Sequence, residues 1–295
     1  MLKNNELPSR GATTMNIGIV GLGLIGGSLA IDWRSLGHTI LGVSRRPSTC
    51  EAAIARGIVD QASCDLALMA EAEVVVLCTP LGAFLPTVDQ LLPHLSPETI
   101  VTDVGSVKGW VVEAIAPRWE NFVGGHPMAG TAESGLDAAL TGLFQNCIYA
   151  ITPTAHTPIR AVEVVTQLAR SLQAQVYKCD PQDHDRAVAW ISHLPVMVSA
   201  SLIASCMNEE SATVRSLAQT LASSGFRDTS RVGGGNPELG VMMARYNQAA
   251  VVRSLQGYRQ QLDAIIQTIE TSDWDSLETL LGQTQRDRPA FVDPA

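Results

Sequence analysis

The 295-residue chain, with a 46% hydrophobic composition, is long enough for two globular domains of ordinary size. Its formal net charge of −9 excludes a general affinity for nucleic acid, and no uninterrupted apolar run reaches the length of a membrane span. Six cysteines without a CxxC pair indicate reduced thiols in a cytoplasmic protein and no metal site.

The first predicted strand, residues 16–20, opens a β-α-β unit. It is preceded by residues 1–14, which lack the apolar core of a signal peptide and are interpreted as a disordered extension. After the strand come a glycine turn, an amphipathic helix that ends before Gly37, and a second strand over residues 39–43. This order of elements predicts a dinucleotide-binding site.

The glycine turn has the sequence GLGLIG. Gly21 permits the tight turn, Gly23 lets the backbone approach a pyrophosphate, and Gly26 lets the helix pack closely against the strand. Leu24 and Ile25 lie at the positive N-terminus of the helix, where phosphate oxygens are expected to bind.

The end of the second strand predicts which dinucleotide is bound. An NAD site has an acidic side chain about 20 residues after the glycines, which accepts a hydrogen bond from the ribose 2′-hydroxyl. Here that position holds Ser44, Arg45 and Arg46. Guanidinium groups bind phosphate well, so these residues favour NADP; a solvated arginine pair at a strand end is the alternative.

Helix and strand patterns continue to alternate as far as residue 179. Further strands are predicted at residues 73–78, 99–102, 122–123, 146–152 and 175–177, and helices at 49–56, 84–92, 107–116 and 158–172. Thr79 ends a buried strand and is a candidate contact for the ribose or nicotinamide, with a simple Thr-Pro turn as the alternative. Ser106 is positioned to cap the helix at 107–116.

From Asp180 onwards the pattern is helical. Helices are predicted at residues 181–206, 209–223, 238–271 and 273–283. The third keeps an apolar face over about 50 Å at 1.5 Å per residue, which predicts a homodimer with interlocked helical domains. The expected fold is therefore α/β: a Rossmann-type NADP-binding domain over residues 15–179, followed by an all-helical dimerisation and substrate domain over 180–295.

Three polar stretches contain candidates for chemistry. His126 is predicted in a glycine-rich loop at the carboxyl edge of the sheet, where it is suited to act as a general base; an incidental loop histidine is the alternative. His184 and His193, nine residues apart on one predicted helix, are expected on opposite faces and so should not share a metal. Arg227 and Arg231, in a predicted loop at residues 225–233, are candidate ligands for a carboxylate, with an ion pair to a neighbouring aspartate as the alternative.

Five segments in this order resemble the prephenate and arogenate dehydrogenases of tyrosine biosynthesis. They are GLGLIGGS, DVGSVK, GGHPMAGT, HDRAVAWISHLP and GFRDTSRVG. The resemblance implies oxidative decarboxylation of a cyclohexadienyl substrate, in which hydride leaves ring carbon 4 for the nicotinamide, the 4-hydroxyl loses its proton and carbon dioxide departs.

The resemblance also implies roles for particular residues. His126 would accept the hydroxyl proton, and Ser106 would orient His126 beside the substrate and cofactor. Arg231 would bind a substrate carboxylate, while His193 and Thr131 would line the substrate pocket.

Two departures from the family pattern bear on the substrate's side chain. Val196 follows SHLP where many relatives have another histidine, and Ala132 and Glu133 follow the threonine where some relatives place an acid at once. The NADP-type strand end resembles the arogenate-using branch, so the expected reaction is conversion of L-arogenate to L-tyrosine. Conversion of prephenate to 4-hydroxyphenylpyruvate is the alternative.

Other classes of dinucleotide-binding protein require different catalytic residues. A β-hydroxyacid dehydrogenase would require a catalytic lysine in the helical part, but no lysine follows Lys178, and no tyrosine begins the Tyr-x-x-x-Lys motif of a short-chain reductase. A non-catalytic NADP-sensing dimer would keep the glycines and arginines without requiring His126 or Ser106.

Overall fold

A computed structural model describes residues 14–131 and 133–292. All of the predicted N-terminal extension except Thr14 therefore lies outside the described residues, as does Ala132. The chain divides into two compact units, one ending at Asn247 and the other beginning at Gln248. The predicted fold class, a Rossmann-type α/β region followed by helices, is confirmed.

An eight-stranded sheet forms the centre of the first unit, in the order β3-β2-β1-β4-β5-β6-β7-β8. The strands are β1 (Asn16–Val20), β2 (Thr39–Val43), β3 (Gln61–Ser63), β4 (Val74–Leu77), β5 (Ile100–Asp103), β6 (Phe122–Pro127), β7 (Ile148–Thr152) and β8 (Gln175–Lys178). Neighbouring strands are parallel except for β6 and β7. The strand order reverses between β1 and β4, which opens a crevice at the carboxyl edge of the sheet.

Helices cover both faces of this sheet. They are α1 (Leu24–Ser35), α2 (Pro47–Ala55), α3 (Phe84–Leu91), α4 (Gly109–Ile115) and α5 (Ile159–Ser171). Successive strand residues point to opposite faces, so β1 places Ile17 and Ile19 in a core with α1 and α5, while Val20 belongs to a second core with α3 and α4. Trp33 of α1 joins the first core and donates its indole N–H to the Leu168 carbonyl of α5 at 3.2 Å.

Two details of the α/β region differ from the sequence predictions. The short strand β3 was not predicted, and β6 extends to Pro127, so His126 lies in a strand rather than in a loop. The extension is possible because Gly125 has no side chain: a Cβ there would lie 2.6 Å from the Asp103 carbonyl oxygen of β5. Antiparallel pairing of His126 with Ala150 completes the strand.

The helical part of the first unit continues the chain from Asp180, whose side chain caps its first helix. It comprises α6 (Pro181–Val188), a π-helical segment (Ala189–His193), α7 (Leu194–Met207), α8 (Ala212–Leu221), α9 (Ser224–Ser230) and α10 (Pro237–Tyr246). The predicted loop at residues 225–233 is wrong, because α9 and a 3-10 turn at Arg231–Gly234 occupy it. The Ser199 hydroxyl of α7 donates to the Thr229 carbonyl at 2.6 Å and anchors this segment.

The second unit contains α11 (Gln248–Glu270), α12 (Trp274–Asp287) and α13 (Pro289–Val292). The single helix predicted over residues 238–271 is wrong in one respect: Asn247, with φ −119° and ψ 35°, separates α10 from α11. Apolar side chains on α11 and α12 remain exposed in the single chain, among them Leu262, Ile266 and Trp274.

The continuous helical run Pro181–Met207 is long and apolar enough to cross a membrane by length and composition alone. Core helices of globular proteins share this property. The run carries His184, Asp185 and His193, and all three are buried within the first unit. Most of the run is nevertheless not buried: 28% of its most apolar 18-residue window is buried, and Trp190, Ile191 and Met207 are exposed.

Candidate active site

The glycine turn is shaped by close backbone contacts at two of its three glycines. Gly21 has φ +110°, and a Cβ on it would lie 2.7 Å from the carbonyl carbon and oxygen of Cys78. A Cβ on Gly26 would overlap the Gly21 carbonyl oxygen, whereas a Cβ on Gly23 would meet no atom of the described part of the chain within 4 Å. The turn is thus compact inside and open on the side of Gly23, as a pyrophosphate cradle requires.

The amides at the start of α1 are available to an anion. Gly23 is the N-cap residue, no side chain among the described residues caps the helix, and its first turn contains no acidic residue. The N–H groups of the first helical turn, beginning at Leu24 and Ile25, have no partner within the helix. Together with the helix dipole they fit a bound phosphate group.

The end of β2 carries the residues predicted to select the cofactor. Ser44 is half-buried and its hydroxyl accepts the Arg46 N–H at 3.4 Å, while Arg45 and Arg46 are exposed. Within the described ranges, no salt bridge involves either arginine. Both guanidinium groups can therefore meet an external anion.

Four predicted site residues line up along the carboxyl edge of the sheet. Gly21 follows β1, Thr79 follows β4, Ser106 follows β5, and His126 lies near the end of β6, on four consecutive strands. The Thr79 hydroxyl is buried and lacks a hydrogen-bond partner among the described residues. A buried donor without a partner at this edge fits a hydrogen bond to a ligand.

A buried ion pair holds the backbone immediately before His126. Lys108 Nζ is paired with the carboxylate of Asp103 and donates to the Gly125 carbonyl at 2.7 Å. Asp103 in turn accepts the Gly125 N–H at 3.0 Å and the Gly105 N–H at 2.8 Å. Burial raises the pKa of Asp103 and lowers the pKa of Lys108, while the attraction between them opposes both shifts.

His126 is buried and its ring is held by a second histidine. His126 Nδ1 lies 2.9 Å from His184 Nε2, with the two rings arranged edge to face. Burial lowers the pKa of His126 well below 6.5, and repulsion from the positive charge that His184, Lys108 and His193 can carry lowers it further. The ring is therefore neutral at neutral pH, as a general base must be.

Asp185 connects α6 to the start of α4. Its carboxylate accepts the backbone N–H groups of Lys108 at 2.7 Å and Gly109 at 2.8 Å, and it lies 2.8 Å from His184 Nδ1. The predicted cap by Ser106 is wrong, because α4 begins at Gly109 and its N-terminal amides bind Asp185 instead. The described hydrogen bonds do not join Ser106 to His126, and the predicted role of Ser106 beside that ring stays a prediction.

His193 is fully buried and presents a hydrogen-bond donor. Asn247 Nδ2 donates to the Asp185 carbonyl at 2.8 Å and lies 3.2 Å from His193 Nδ1. An amide nitrogen can only donate, so His193 Nδ1 accepts and its Nε2 carries the hydrogen. That Nε2 has no partner among the described residues, and burial lowers the pKa of His193 to about 4.

The expectation that His184 and His193 face opposite sides of their helix stays a prediction. The ring of His184 lies against His126, and the ring of His193 lies against Asn247. The π-helical segment Ala189–His193 separates them, and its wider turn changes the phase that an α-helix would give.

The structure does not bring every predicted residue into this cluster. Arg231 is exposed and takes part in none of the described side-chain hydrogen bonds, and Thr131 is exposed with its hydroxyl accepting the Glu133 N–H at 3.2 Å. Arg227 pairs with Asp228 at 3.2 Å, as the alternative interpretation expected.

Five residues form hydrogen bonds around the site that the sequence analysis did not predict. They are Asp103, Lys108, His184, Asp185 and Asn247. The signals that pointed to them were an aspartate and a lysine around a glycine turn in DVGSVK, and the His-Asp pair in HDRAV. No comparable signal marks Asn247.

Two family models match the chain in succession. Residues 29–178 match the model described as prephenate dehydrogenase, nucleotide-binding domain, and residues 180–283 match the model described as prephenate dehydrogenase, dimerization domain. The resemblance read from the sequence motifs is thereby confirmed.

Individual proteins agree with these models. A prephenate dehydrogenase of Bacillus subtilis (strain 168) is 33% identical over 266 residues, which is 88% of this chain and 71% of the relative. The crystal structure of Synechocystis arogenate dehydrogenase is 55% identical with a TM-score of 0.86, covering 93% of this chain and 99% of that one. The structure of prephenate dehydrogenase from A. aeolicus in complex with hydroxyphenyl propionate and NAD+ is 27% identical with a TM-score of 0.89, covering 95% and 99%.

The glycine turn can be tested with two alanine variants. Gly26→Ala places a methyl group against the Gly21 carbonyl oxygen and should lower the free energy of unfolding by roughly 1–3 kcal/mol. Gly23→Ala meets open space and should leave the melting temperature unchanged while weakening dinucleotide binding about tenfold, because the methyl group projects into the cradle. Thermal unfolding and cofactor titration measure the two effects, and a Gly23→Ala variant that bound cofactor normally would contradict the assignment.

Proposed function

The chain belongs to the prephenate dehydrogenase family, and we propose that it catalyses the NADP-dependent oxidative decarboxylation of L-arogenate to L-tyrosine. Relatives of this family are dehydrogenases, so the chain is an oxidoreductase of this class. The observation that carries the proposal is the buried, neutral imidazole of His126 at the sheet edge that also carries the glycine turn. The likeness to an arogenate dehydrogenase supports the choice of substrate.

The reaction requires the chain to manage one proton and to align two reactants. A bound oxidised nicotinamide would supply the acceptor for the hydride that leaves ring carbon 4 of the substrate. His126 accepts the proton of the 4-hydroxyl group, and loss of carbon dioxide leaves an aromatic ring. Because aromatisation provides the driving force, orientation and proton transfer account for most of what the protein must supply.

In this proposal the dinucleotide lies along the carboxyl edge of the sheet. The amides that begin α1 bind the pyrophosphate, and the open side of Gly23 admits it. Ser44, Arg45 and Arg46 bind the 2′-phosphate that distinguishes NADP from NAD. The Thr79 hydroxyl, which has no hydrogen-bond partner in the described part of the chain, supports a contact to the ribose or nicotinamide, and Ser106 is proposed as a further contact.

The substrate's carboxylates need donors, and two are proposed. His193 offers the buried N–H of its Nε2, which has no partner among the described residues. Arg231 offers a guanidinium group for a second carboxylate, and Thr131 lines the pocket near the substrate. Val196, in place of a second histidine, leaves an apolar wall on the same helix.

We propose that the protein is a cytoplasmic homodimer. The match to a dimerization domain and the exposed apolar side chains of α8, α11 and α12 support assembly through the helical region. The acidic net charge of −9 makes nucleic acid an unsuitable partner, and no membrane partner is proposed.

The proposed function is tested by assaying the purified protein with arogenate and prephenate, each with NADP and NAD. Reduction of the cofactor should be fastest with arogenate and NADP. Preference for prephenate would support the alternative substrate, and binding of NADP without turnover of either substrate would indicate a non-catalytic sensor. Absorbance of the reduced cofactor is the measurement.

Replacing the proposed base should remove most of the activity. His126→Asn is expected to lower kcat by about 10²–10⁴-fold, the usual contribution of a general base, with cofactor affinity unchanged. Because the pKa of His126 is lowered well below 6.5, activity of the parent enzyme should hold through pH 6.5 and fall only at more acidic pH, where the ring becomes protonated. In the variant this loss at low pH should disappear, and a near-normal kcat would rule out His126 as the base.

Cofactor preference should depend on the two arginines after β2. Arg45→Ala combined with Arg46→Ala should raise the KM for NADP by at least about ten- to a hundredfold, since the loss of even one charge-assisted hydrogen bond costs about 1.5–3 kcal/mol. The KM for NAD should stay unchanged, because NAD lacks the 2′-phosphate. Arg160→Ala, which removes an exposed arginine from α5, is the matched control. Equal effects on both cofactors would contradict the assignment.

A further inference from the structure

A continuous line of hydrogen-bonded side chains leads from His126 into the helical part of the first unit. His126 Nδ1 lies 2.9 Å from His184 Nε2, and His184 Nδ1 lies 2.8 Å from a carboxylate oxygen of Asp185. All three residues are buried, with exposed fractions of 8%, 5% and 7%. Screening by solvent is therefore weak along the whole line.

The chemistry of the groups sets the direction of each hydrogen bond. A carboxylate only accepts, so the hydrogen between His184 and Asp185 belongs to His184 Nδ1. With both rings neutral, His184 Nε2 then has a lone pair, and it accepts from His126 Nδ1. The remaining nitrogen, Nε2 of His126, is left with a lone pair that His184 does not use.

We propose that His184 and Asp185 are positioning residues that hold the hydrogen of His126 on Nδ1, so that Nε2 is the atom that takes the substrate's hydroxyl proton. This inference rests on the proposed function and adds residues that do not touch the substrate. Without them, a neutral imidazole in this position could carry its hydrogen on Nε2, where it cannot act as a base.

The line also accommodates the charge that the reaction creates. As the substrate O–H bond breaks and the Nε2–H bond forms, the O–H electron pair becomes the second bond of the carbonyl group. The hydride leaves carbon 4 with its electron pair for the oxidised nicotinamide, so electrons and atoms balance. The resulting imidazolium of His126 donates through Nδ1 to His184, whose own N–H faces the negative charge of Asp185.

Asp185 is held in place by contacts on three sides. Its carboxylate accepts the amides of Lys108 and Gly109, and its carbonyl accepts from Asn247, which also fixes the tautomer of His193. One residue therefore orients an acceptor, His126 Nε2, and a donor, His193 Nε2. These suit a substrate that presents a hydroxyl hydrogen and a carboxylate oxygen.

Two variants of His184 separate positioning from packing. In His184→Gln the amide oxygen can still accept from His126 Nδ1, whereas in His184→Leu nothing can. We expect His184→Leu to lower kcat about ten- to a hundredfold with little change in KM, and His184→Gln to retain kcat within about threefold, on the scale of general-base effects. Equal losses of kcat in both variants, matched by equal losses of thermal stability, would indicate a packing role and overturn the proposal.

The tautomer itself can be observed without substrate. Long-range ¹H–¹⁵N correlation spectra of the full-length, ligand-free protein, labelled at its six histidines and assigned with His126→Asn, report which ring nitrogen carries hydrogen. The parent protein and His184→Gln should show hydrogen on Nδ1 of His126, and His184→Leu should show hydrogen on Nε2. Hydrogen on Nε2 in the parent would overturn the proposal even if the leucine variant did not fold.

The NMR spectra test the proposed tautomer of His126, and the activity assays test the proposed function, so either proposal can be contradicted without the other. Hydrogen on Nδ1 in a protein that turns over neither arogenate nor prephenate would contradict the proposed function while supporting the hydrogen-bonded line. Full turnover with hydrogen on Nε2 would support the function and contradict the line.

Discussion

The carboxylate of Asp185 is the contact on which the site depends. It lies on α6, yet two of its hydrogen bonds go to the N-terminal amides of α4, which belongs to the sheet region. A negative charge at a helix N-terminus is stabilised by the free amides and by the helix dipole. Because His184 is the preceding residue, fixing Asp185 on α4 also brings the His184 ring to His126. This capping interaction between distant parts of the chain thus joins the two halves of the first unit and assembles the polar cluster.

The ion pair between Asp103 and Lys108 is a second interaction on which the site depends. Both side chains are fully buried, and removing one partner of such a pair typically costs about 3–5 kcal/mol because the other charge stays unpaired. Here Asp103 also accepts the N–H of Gly125, and Lys108 donates to the Gly125 carbonyl. Few polar atoms around the two charges are therefore left without a partner. The ion pair thereby fixes the backbone of β6 at Gly125. Because His126 is the next residue, the position of its ring is fixed as well.

Much of the fold follows from local pattern. Apolar runs and the glycine turn correctly predicted β1, α1 and β2, because strand burial and tight turns act over a few residues. The predictions were wrong where distant groups intervene. β6 extends past Gly125 because β7 pairs with it, and the long C-terminal helix is broken at Asn247, whose side chain binds the Asp185 carbonyl and His193.

For the site, the sequence alone determined the chemical inventory: a dinucleotide turn, two arginines in place of an acid, and a histidine suited to proton transfer. Only the tertiary structure decided how His126 is held. Its partner His184 lies 58 residues along the chain, and the α4 amides bind Asp185, 77 residues from Lys108, instead of Ser106. A π-helical segment, Ala189–His193, also interrupts the regular α-helix that the sequence predicted there. Such pairings arise from packing between elements, because hydrogen bonds depend on distance in space, whereas sequence patterns report only neighbours along the chain.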